Sequence, residues 1–166
     1  MVKRLVMKSS SNHKTIFLLR HSDAKTKGVP SDFERELSLI GRKRVQDLAK
    51  RVSDNITLDK IYYSSAKRTT ETFRILRFNR FPSINSDKLY LAEKNELIDF
   101  IMDLPDSLQK VLIIGHNNGL SELASYITSE SIYLSTCEFI EIGLEIESWK
   151  YISSGIGILK RNIFPE

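Results

Sequence analysis

The sequence has a single cysteine, no long apolar run and almost no excess of charge beyond its first residues. Because Cys137 has no second thiol to pair with, an internal disulfide is excluded, and the residue is expected to be a small member of the core. No apolar stretch approaches the roughly eighteen residues that a membrane-spanning helix needs. These absences favour a cytoplasmic protein that does not associate with membranes.

After the first 14 residues, basic and acidic side chains are present in equal numbers. The net charge is +4, and residues 1–14 carry four basic side chains and no acidic one, which leaves 21 basic and 21 acidic residues in the remainder. We therefore expect a basic extension at residues 1–13, followed by a single domain over residues 14–166. A neutral domain behind a short basic tail does not indicate a nucleic-acid partner.

The glycine motifs of nucleotide-binding loops are missing, since no G-x-G-x-x-G follows the first predicted strand and no G-x-x-x-x-G-K-[ST] occurs. Two unbroken apolar runs are present instead, at residues 16–19 and 111–114, and each is typical of a strand buried on both faces. The first run ends in Arg20 and His21, and the second leads to His116. If the two strands are parallel neighbours, both histidines lie at the sheet edge where open α/β proteins bind ligands.

Around these runs, apolar residues recur at helical spacing and short β-rich segments separate the helices. This alternation predicts an α/β protein of three layers, α/β/α, with a central, mostly parallel sheet. The polar segment 25–36 is expected to be a loop that forms a wall of the site. One predicted helix runs from an N-cap at Ser38 to about Ser53, and a second runs from an N-cap at Ser65 to Leu76. Two more helices are predicted at residues 97–104 and 120–127. Further strands are predicted at residues 58–63, 88–91, 137–146 and 149–159.

Two arginines stand where local structure does not explain a positive charge. Arg68, in the first turn of its predicted helix, opposes the partial positive charge of a helix N-terminus. A bound anion would offset that conflict, and so would an ion pair with Glu71. Arg20 directly follows a buried strand and needs an anionic partner, either a ligand or Asp23.

With the two histidines added, this cluster has the composition of a phosphoryl site. Arginines stabilise the charge on phosphoryl oxygens, and an imidazole can attack phosphorus or donate a hydrogen bond. Each histidine taken alone is more typical of a structural residue, so the prediction depends on all four side chains meeting. A zinc site is not indicated, because two histidines are too few ligands and the flanking arginines repel a cation.

Four ordered segments resemble the motifs of the histidine phosphatase (phosphoglycerate mutase-like) superfamily. Residues 19–24, L-R-H-S-D-A, resemble its R-H-G signature, and residues 64–72, S-S-A-K-R-T-T-E-T, resemble its S-S-x-x-x-R-x-x-x-T element. Residues 34–41 look like its R-x-L-[ST]-x-x-G element, and residues 111–117 are similar to its late V-G-H segment. The short length, the H-N-N-G-L loop and the tail around Trp149 look most like the SixA-type phosphohistidine phosphatase branch.

The resemblance implies a phosphoglycerate mutase-like fold and a phosphatase that uses neither a metal nor another cofactor. On this basis His21 would be the catalytic nucleophile that becomes phosphorylated. His116 would hydrogen-bond the transferring group and stabilise the transition state. Arg20, Arg68 and Arg35 would bind the phosphoryl oxygens.

Asn117 would line the same pocket, whereas the resemblance leaves the general acid undecided. Asp23, Glu93 or no residue at all could fill that role, because a phosphohistidine leaves readily once its imidazole is protonated. Ser22 departs from the family pattern, since it replaces the usual glycine after the nucleophile.

The expected activity is hydrolysis of a phosphoryl group through a covalent phosphohistidine intermediate. The preferred substrate is phosphohistidine on a partner protein, such as a phosphorelay or phosphotransferase component. Small phosphate monoesters are the alternative substrates, which turnover of sugar phosphates would favour. A non-catalytic phosphoprotein-binding module is the alternative class, and such a module would bind phosphate without forming a phosphoenzyme.

Overall fold

The computed structural model describes residues 13–52 and 56–165, and the predicted basic extension lies outside them except for His13. Strands and helices alternate through most of this range, and two strands follow the last helix. The strands are β1 (Lys14–Arg20), β2 (Lys60–Ser64), β3 (Ser83–Ser86), β4 (Lys110–Gly115), β5 (Phe139–Leu144) and β6 (Gly157–Ile163). The helices are α1 (Leu39–Val52), α2 (Lys67–Leu76), α3 (Lys94–Met102) and α4 (Gly119–Thr128).

All six strands lie in one sheet, in the order β3-β2-β4-β1-β5-β6. The four strands from β3 to β1 are mutually parallel, and β5 and β6 add two antiparallel pairings at the other side. The two apolar runs are therefore neighbouring parallel strands, and Arg20 is in register with Gly115 at their carboxyl ends. The predicted mostly parallel sheet is confirmed, and so is the placement of both histidines at one edge.

Two apolar layers cover the sheet. On one face, Phe17 and Leu19 of β1 pack with the buried stripe of α1 and with Phe73 of α2. On the other face, Ile16 and Leu18 pack with the apolar sides of α3 and α4. Side chains of a strand alternate between faces, so one continuous apolar strand supplies both cores. The three-layer architecture is as predicted, and Cys137 is buried in the first layer.

The helix after β2 begins later than predicted. Its N-cap is Ala66, which makes no side-chain capping bond, and the Ser65 hydroxyl donates instead to the Asp87 carboxylate. The predicted cap at Ser65 is wrong, because that hydroxyl is used to join two loops. Arg68 is consequently the second residue of α2. At the earlier helix, Ser38 accepts from the Gly41 amide as a cap should, while the predicted end at Ser53 lies outside the described residues.

Three strand predictions are displaced. The edge strand occupies Ser83–Ser86, and the predicted segment 88–91 instead begins in a 3₁₀ turn that buries Leu89. The second strand starts at Lys60. In the tail, Trp149 belongs to a 3₁₀ turn, because its indole N–H donates to the Leu108 carbonyl at 2.9 Å and its ring is fully buried. Packing of a single large side chain has therefore overridden the local strand pattern.

No helix within the described ranges is long and apolar enough to cross a lipid bilayer.

Gly41 sets the distance between α1 and the segment that follows β1. A Cβ atom added to Gly41 would lie 2.1 Å from the Asp23 carbonyl oxygen, which is a fixed backbone atom. The close approach lets Ser38 contact Asp23 and lets the Gly41 carbonyl accept from the Ser22 hydroxyl. The glycine of the R-x-L-[ST]-x-x-G element is therefore required by packing.

We expect Gly41→Ala to lower the free energy of unfolding by about 1–3 kcal/mol through overpacking. The helix propensity gained by alanine acts in the opposite direction and is smaller, about 1 kcal/mol. Urea denaturation measures the change, with Lys43→Ala as the control because Lys43 is exposed on the same helix. Equal stability of Gly41→Ala and the control would show that the close approach is not required.

Candidate active site

His21 and His116 lie side by side at the carboxyl edge of the sheet. Their ring centroids are 5.2 Å apart, and the residues are 8% and 3% exposed. The His21 amide donates to the Gly115 carbonyl at 3.1 Å, which extends the pairing of β1 and β4 by one residue. The histidine pair is thus fixed by the register of two central strands.

The guanidinium of Arg68 joins the two imidazoles. Its Nε donates to His21 Nε2 at 3.2 Å, and its Nη2 donates to His116 Nδ1 at 3.2 Å. Arg68 is only 2% exposed, so this is a buried cation between two buried rings. The expected meeting of these three side chains is present in the structure.

The hydrogen bonds define the protonation of both rings. A carbonyl oxygen only accepts, so His21 Nδ1, which lies 2.7 Å from the Ser22 carbonyl, carries the proton. A guanidinium only donates, so His116 Nδ1 is unprotonated, and His116 Nε2 donates to Ser64 Oγ at 2.8 Å. His21 therefore presents the lone pair of Nε2 at the site, as a nucleophilic imidazole must.

Both imidazoles are neutral at physiological pH. Burial is the main reason why the pKa of His21 is lowered to about 4. The hydrogen bond to the Ser22 carbonyl raises this pKa, and the charges of Arg68 and Arg20 lower it further. Burial lowers the pKa of His116 to about 3, helped by His21 and by the charge of Arg68. The positive charge of the arginines, which disfavours a proton on these rings, favours an anion beside them.

Arg20 is anchored by the segment before β5. Its Nη1 donates to the Leu134 carbonyl at 2.9 Å, and its guanidinium lies 6.0 Å from the centre of the Tyr133 ring. Among the described residues, its buried Nε has no hydrogen-bond partner. The ion pair with Asp23 considered above is not formed, because the Asp23 carboxylate accepts from the Ser38 hydroxyl. The Arg20 charge acts on His21, and its unsatisfied Nε–H is a donor that a bound anion could accept from.

Arg35 and Asn117 make no hydrogen bond to either histidine. Arg35 Nε donates to the Lys25 carbonyl at 2.7 Å, although the Arg35 charge lies close enough to lower the pKa of His21 after burial, Arg68 and Arg20. Asn117 Nδ2 donates to the Leu134 carbonyl at 2.9 Å. The structure therefore places both side chains around the site and engages them with loop carbonyls.

The candidate general acids are occupied elsewhere. The side chains of Glu93 and Glu96 form the capping box at the start of α3, each accepting from a backbone amide of the same turn. Asp23 is held by Ser38. None of these three carboxylates forms a hydrogen bond or an ion pair with His21 or His116.

Sequence reasoning missed the one carboxylate that does reach the cluster. Asp32 forms an ion pair with Arg68 at 3.0 Å and one with Arg35 at 3.1 Å, and it accepts from the Tyr90 hydroxyl at 2.8 Å. The ion pair between Arg68 and Glu71, considered above as an alternative to a bound anion, is not formed, and Glu71 instead binds Arg42 and the amide of Leu37. Two features of the sequence could have pointed to Asp32. It lies three residues before Arg35, and it belongs to the loop that was predicted to form a wall of the site.

Two further residues complete the surroundings of the histidines. Ser64, from the S-S-x-x-x-R element, accepts from His116 Nε2, the nitrogen that carries the proton because Arg68 donates to Nδ1. Ser22 is fully buried, donating from Oγ to the Gly41 carbonyl at 2.9 Å while its amide donates to Thr72 Oγ1 at 3.2 Å. The departure from the usual glycine is thus accommodated by a satisfied hydroxyl.

The composition of the cluster suits an anion and not a cation. Within residues 13–52 and 56–165, no group of three or more His, Cys, Asp or Glu side chains could hold a metal ion. Positive charges from Arg20, Arg68 and Arg35 act on His21, and the guanidinium group matches the geometry of phosphoryl oxygens. The carboxylate of Asp32 offsets part of this charge at Arg68.

Residues 16–89 match the family model of the histidine phosphatase superfamily (branch 1). This segment contains three of the four motifs on which the resemblance was based, and the fourth contributes His116. No curated protein matches the sequence.

Solved structures show where this fold occurs. A protein from Nakamurella multipartitia described as a phosphohistidine phosphatase SixA is 17% identical, with a TM-score of 0.82 over 92% of this chain and 96% of that one. A protein from Agrobacterium tumefaciens with the same description is 20% identical, with a TM-score of 0.79 over 92% and 98%. A phosphoglycerate mutase from Plasmodium falciparum is 20% identical, with a TM-score of 0.61 over 90% and 89%. The predicted phosphoglycerate mutase-like fold and the resemblance to the superfamily are confirmed.

The lowered histidine pKa values predict how stability depends on pH. Between pH 6.5 and about 4, His21 and His116 bind protons in the unfolded chain but remain unprotonated in the folded state. The free energy of unfolding should therefore fall as the pH is lowered through this window, by up to about 1.4 kcal/mol per pH unit for each histidine.

Urea denaturation at pH 6.5, 5.5 and 4.5 measures this slope. His21→Gln removes one of the two titrating rings, so its slope should be clearly shallower than that of the parent protein. A parent protein whose stability is constant across the three pH values would contradict the neutral state of the buried pair.

Proposed function

We propose that this chain is a phosphatase that hydrolyses phosphohistidine on a partner protein through a phosphohistidine intermediate at His21. We further propose that residues 14–166 act as one catalytic domain without a metal. The observation that carries the proposal is the contact of Arg68 with both rings, because it places a buried guanidinium against His21 Nε2, the unprotonated nitrogen of that imidazole.

The first step transfers the phosphoryl group from the substrate to the protein. The lone pair of His21 Nε2 forms a bond to phosphorus while the bond from phosphorus to the substrate imidazole breaks, and that imidazole leaves with the proton it carries. Arg68 Nε donates to His21 Nε2 in the structure, so this hydrogen bond must break before the lone pair attacks phosphorus. The released Arg68 Nε–H and the unsatisfied Nε of Arg20 would then donate to the phosphoryl oxygens. In the second step water attacks phosphorus, the bond to His21 breaks, and inorganic phosphate is released.

His116 would change its protonation state during this reaction. Burial and nearby positive charge keep the pKa of the ring low in the structure. A bound phosphoryl dianion introduces the opposite charge and raises that pKa, so the ring can take up a proton and donate to a phosphoryl oxygen. Arg35 and Asn117 would contact the anion only if they exchanged their present bonds to loop carbonyls.

The lack of a placed acid supports phosphohistidine over a phosphate monoester. An alcohol leaving group needs a proton donor. Burial raises the pKa of Asp32, but hydrogen bonds from Tyr90 and Arg35 and the charge of Arg68 outweigh this effect and lower it to about 2. Asp32 is therefore a carboxylate that holds no proton to give. An imidazole that carries its own proton can leave without such a donor.

We expect His21→Ala to abolish phosphatase activity and covalent labelling without unfolding the protein. The assay incubates the protein with a histidine-phosphorylated protein carrying ³²P, quenches it in alkaline detergent, and tests for label that is stable in alkali and lost in acid. His13→Ala is the matched control, because His13 is exposed and lies before β1.

The outcomes separate the three candidate functions. Label on the parent protein and on His13→Ala, but not on His21→Ala, supports the proposal. Faster release of phosphate from sugar phosphates than from phosphohistidine would favour a monoester phosphatase. Phosphate binding with no label and no release from either substrate would favour the binding module.

We expect Arg68→Lys to reduce kcat/KM for phosphohistidine by about 100-fold or more, the loss typical of one removed oxyanion donor. Lysine keeps the positive charge but cannot span His21 and His116 with two fixed N–H groups. Arg42→Lys is the control, since Arg42 forms an ion pair with Glu71. Steady-state kinetics measure kcat/KM for both variants. Equal values for Arg68→Lys and Arg42→Lys would show that Arg68 has no role in the proposed mechanism.

A further inference from the structure

Asp32 binds the side of the Arg68 guanidinium that faces away from the histidines. Its main-chain carbonyl accepts from Nη1 at 2.6 Å, and its carboxylate accepts from Nη2 at 3.0 Å. A guanidinium is a rigid plane with two forked edges. The Nη1–Nη2 edge is therefore held by a single residue, while the Nε–Nη2 edge spans His21 and His116.

Asp32 is itself fixed by groups that do not touch the reacting nitrogen. The Tyr90 hydroxyl donates to its Oδ2 at 2.8 Å, and Arg35 Nη1 donates to its Oδ1 at 3.1 Å. The Tyr90 ring packs edge-on against Phe33 at 5.1 Å and against His116 at 5.6 Å. The loop before α1 is thus joined to the site through both the carboxylate and the main-chain carbonyl of Asp32, and through the ring contact of Phe33 with Tyr90.

Burial differs sharply between the two members of the pair. Arg68 is 2% exposed, whereas the Asp32 side chain is 44% exposed. A buried cation that loses its carboxylate partner forms hydrogen bonds with other acceptors or with water, so its orientation becomes less defined. The exposed carboxylate, in contrast, lies where a small molecule from solvent can replace it.

We propose that Asp32 is a positioning residue that orients Arg68, so that the Nε–Nη2 edge of the guanidinium faces the space between His21 and His116. Its effect on catalysis rests on the proposed function, because the phosphoryl group would bind in that space. Asp32 and the phosphoryl group use different edges of the guanidinium, which argues against Asp32 as a mere competitor for the anion.

Three variants test the effect on turnover of free phosphohistidine. Asp32→Ala should lower kcat by about ten- to a hundredfold, as a misplaced catalytic group does, with little change in KM. Asp32→Asn keeps one side-chain oxygen that can accept from Arg68 Nη2, whereas both variants keep the main-chain carbonyl that accepts from Nη1. The kcat of Asp32→Asn should therefore be closer to that of the parent protein than the kcat of Asp32→Ala. Glu36→Ala is the matched control, since this carboxylate of the same loop pairs with Lys25 and Lys67.

Chemical rescue provides a readout that a purely structural role would not give. Added formate should restore part of the lost kcat in Asp32→Ala and should not accelerate the parent protein or Glu36→Ala. Parent-like kcat in Asp32→Ala would overturn the proposal. Tighter binding of inorganic phosphate by Asp32→Asn than by the parent protein would also overturn it, because it would show that Asp32 competes with the anion.

A second measurement does not depend on phosphatase activity. In ¹⁵N NMR spectra the Arg68 Nε–H should be protected from exchange in the parent protein and in Asp32→Asn, and should lose that protection in Asp32→Ala. This pattern in a protein without turnover would support the positioning role while the proposed function failed. Equal protection in Asp32→Ala and the parent protein would overturn the positioning role whatever the activity.

Discussion

The buried guanidinium of Arg68 is the charge on which the arrangement of this site depends. Removing such a cation from water costs several kcal/mol unless its N–H groups find acceptors. Those acceptors are His21 after β1, His116 after β4 and Asp32 in the loop before α1. Because each partner comes from a different segment, satisfying one buried charge fixes three parts of the chain relative to one another.

The sheet supplies the rigid half of this arrangement. β1 and β4 are buried on both faces, so their register cannot slip without exposing apolar side chains on either side. The histidines continue directly from these strands, whereas Arg68 enters from the second position of α2, whose first amide donates to the Phe33 carbonyl at 3.0 Å. Strand register therefore sets the distance between the rings, and a loop contact sets the approach of the helix.

Electrostatics explain why such a site suits phosphoryl transfer. Positive charge and burial keep both imidazoles neutral, which leaves a nucleophilic nitrogen on His21. Asp32, the one carboxylate among the described residues that contacts the cluster, is ionised, and so it orients the cation without supplying a proton. The same fold occurs in proteins described as a phosphohistidine phosphatase and as a phosphoglycerate mutase. The phosphohistidine substrate that we propose is therefore supported by these local charges and not by the fold.

Sequence patterns alone determined the sheet, its two buried strands and the meeting of His21 with His116, because an unbroken apolar run can only be satisfied between two packed layers. The unfavourable position of Arg68 in the first turn of a helix also indicated an anionic partner. Which anion it was could not be known from the sequence. The pair of Arg68 with Asp32 joins residues 36 positions apart through an irregular loop that has no hydrophobic period to locate it. Only the tertiary structure brings that loop to the sheet edge, because loop positions are fixed by hydrogen bonds and packing that local sequence does not encode.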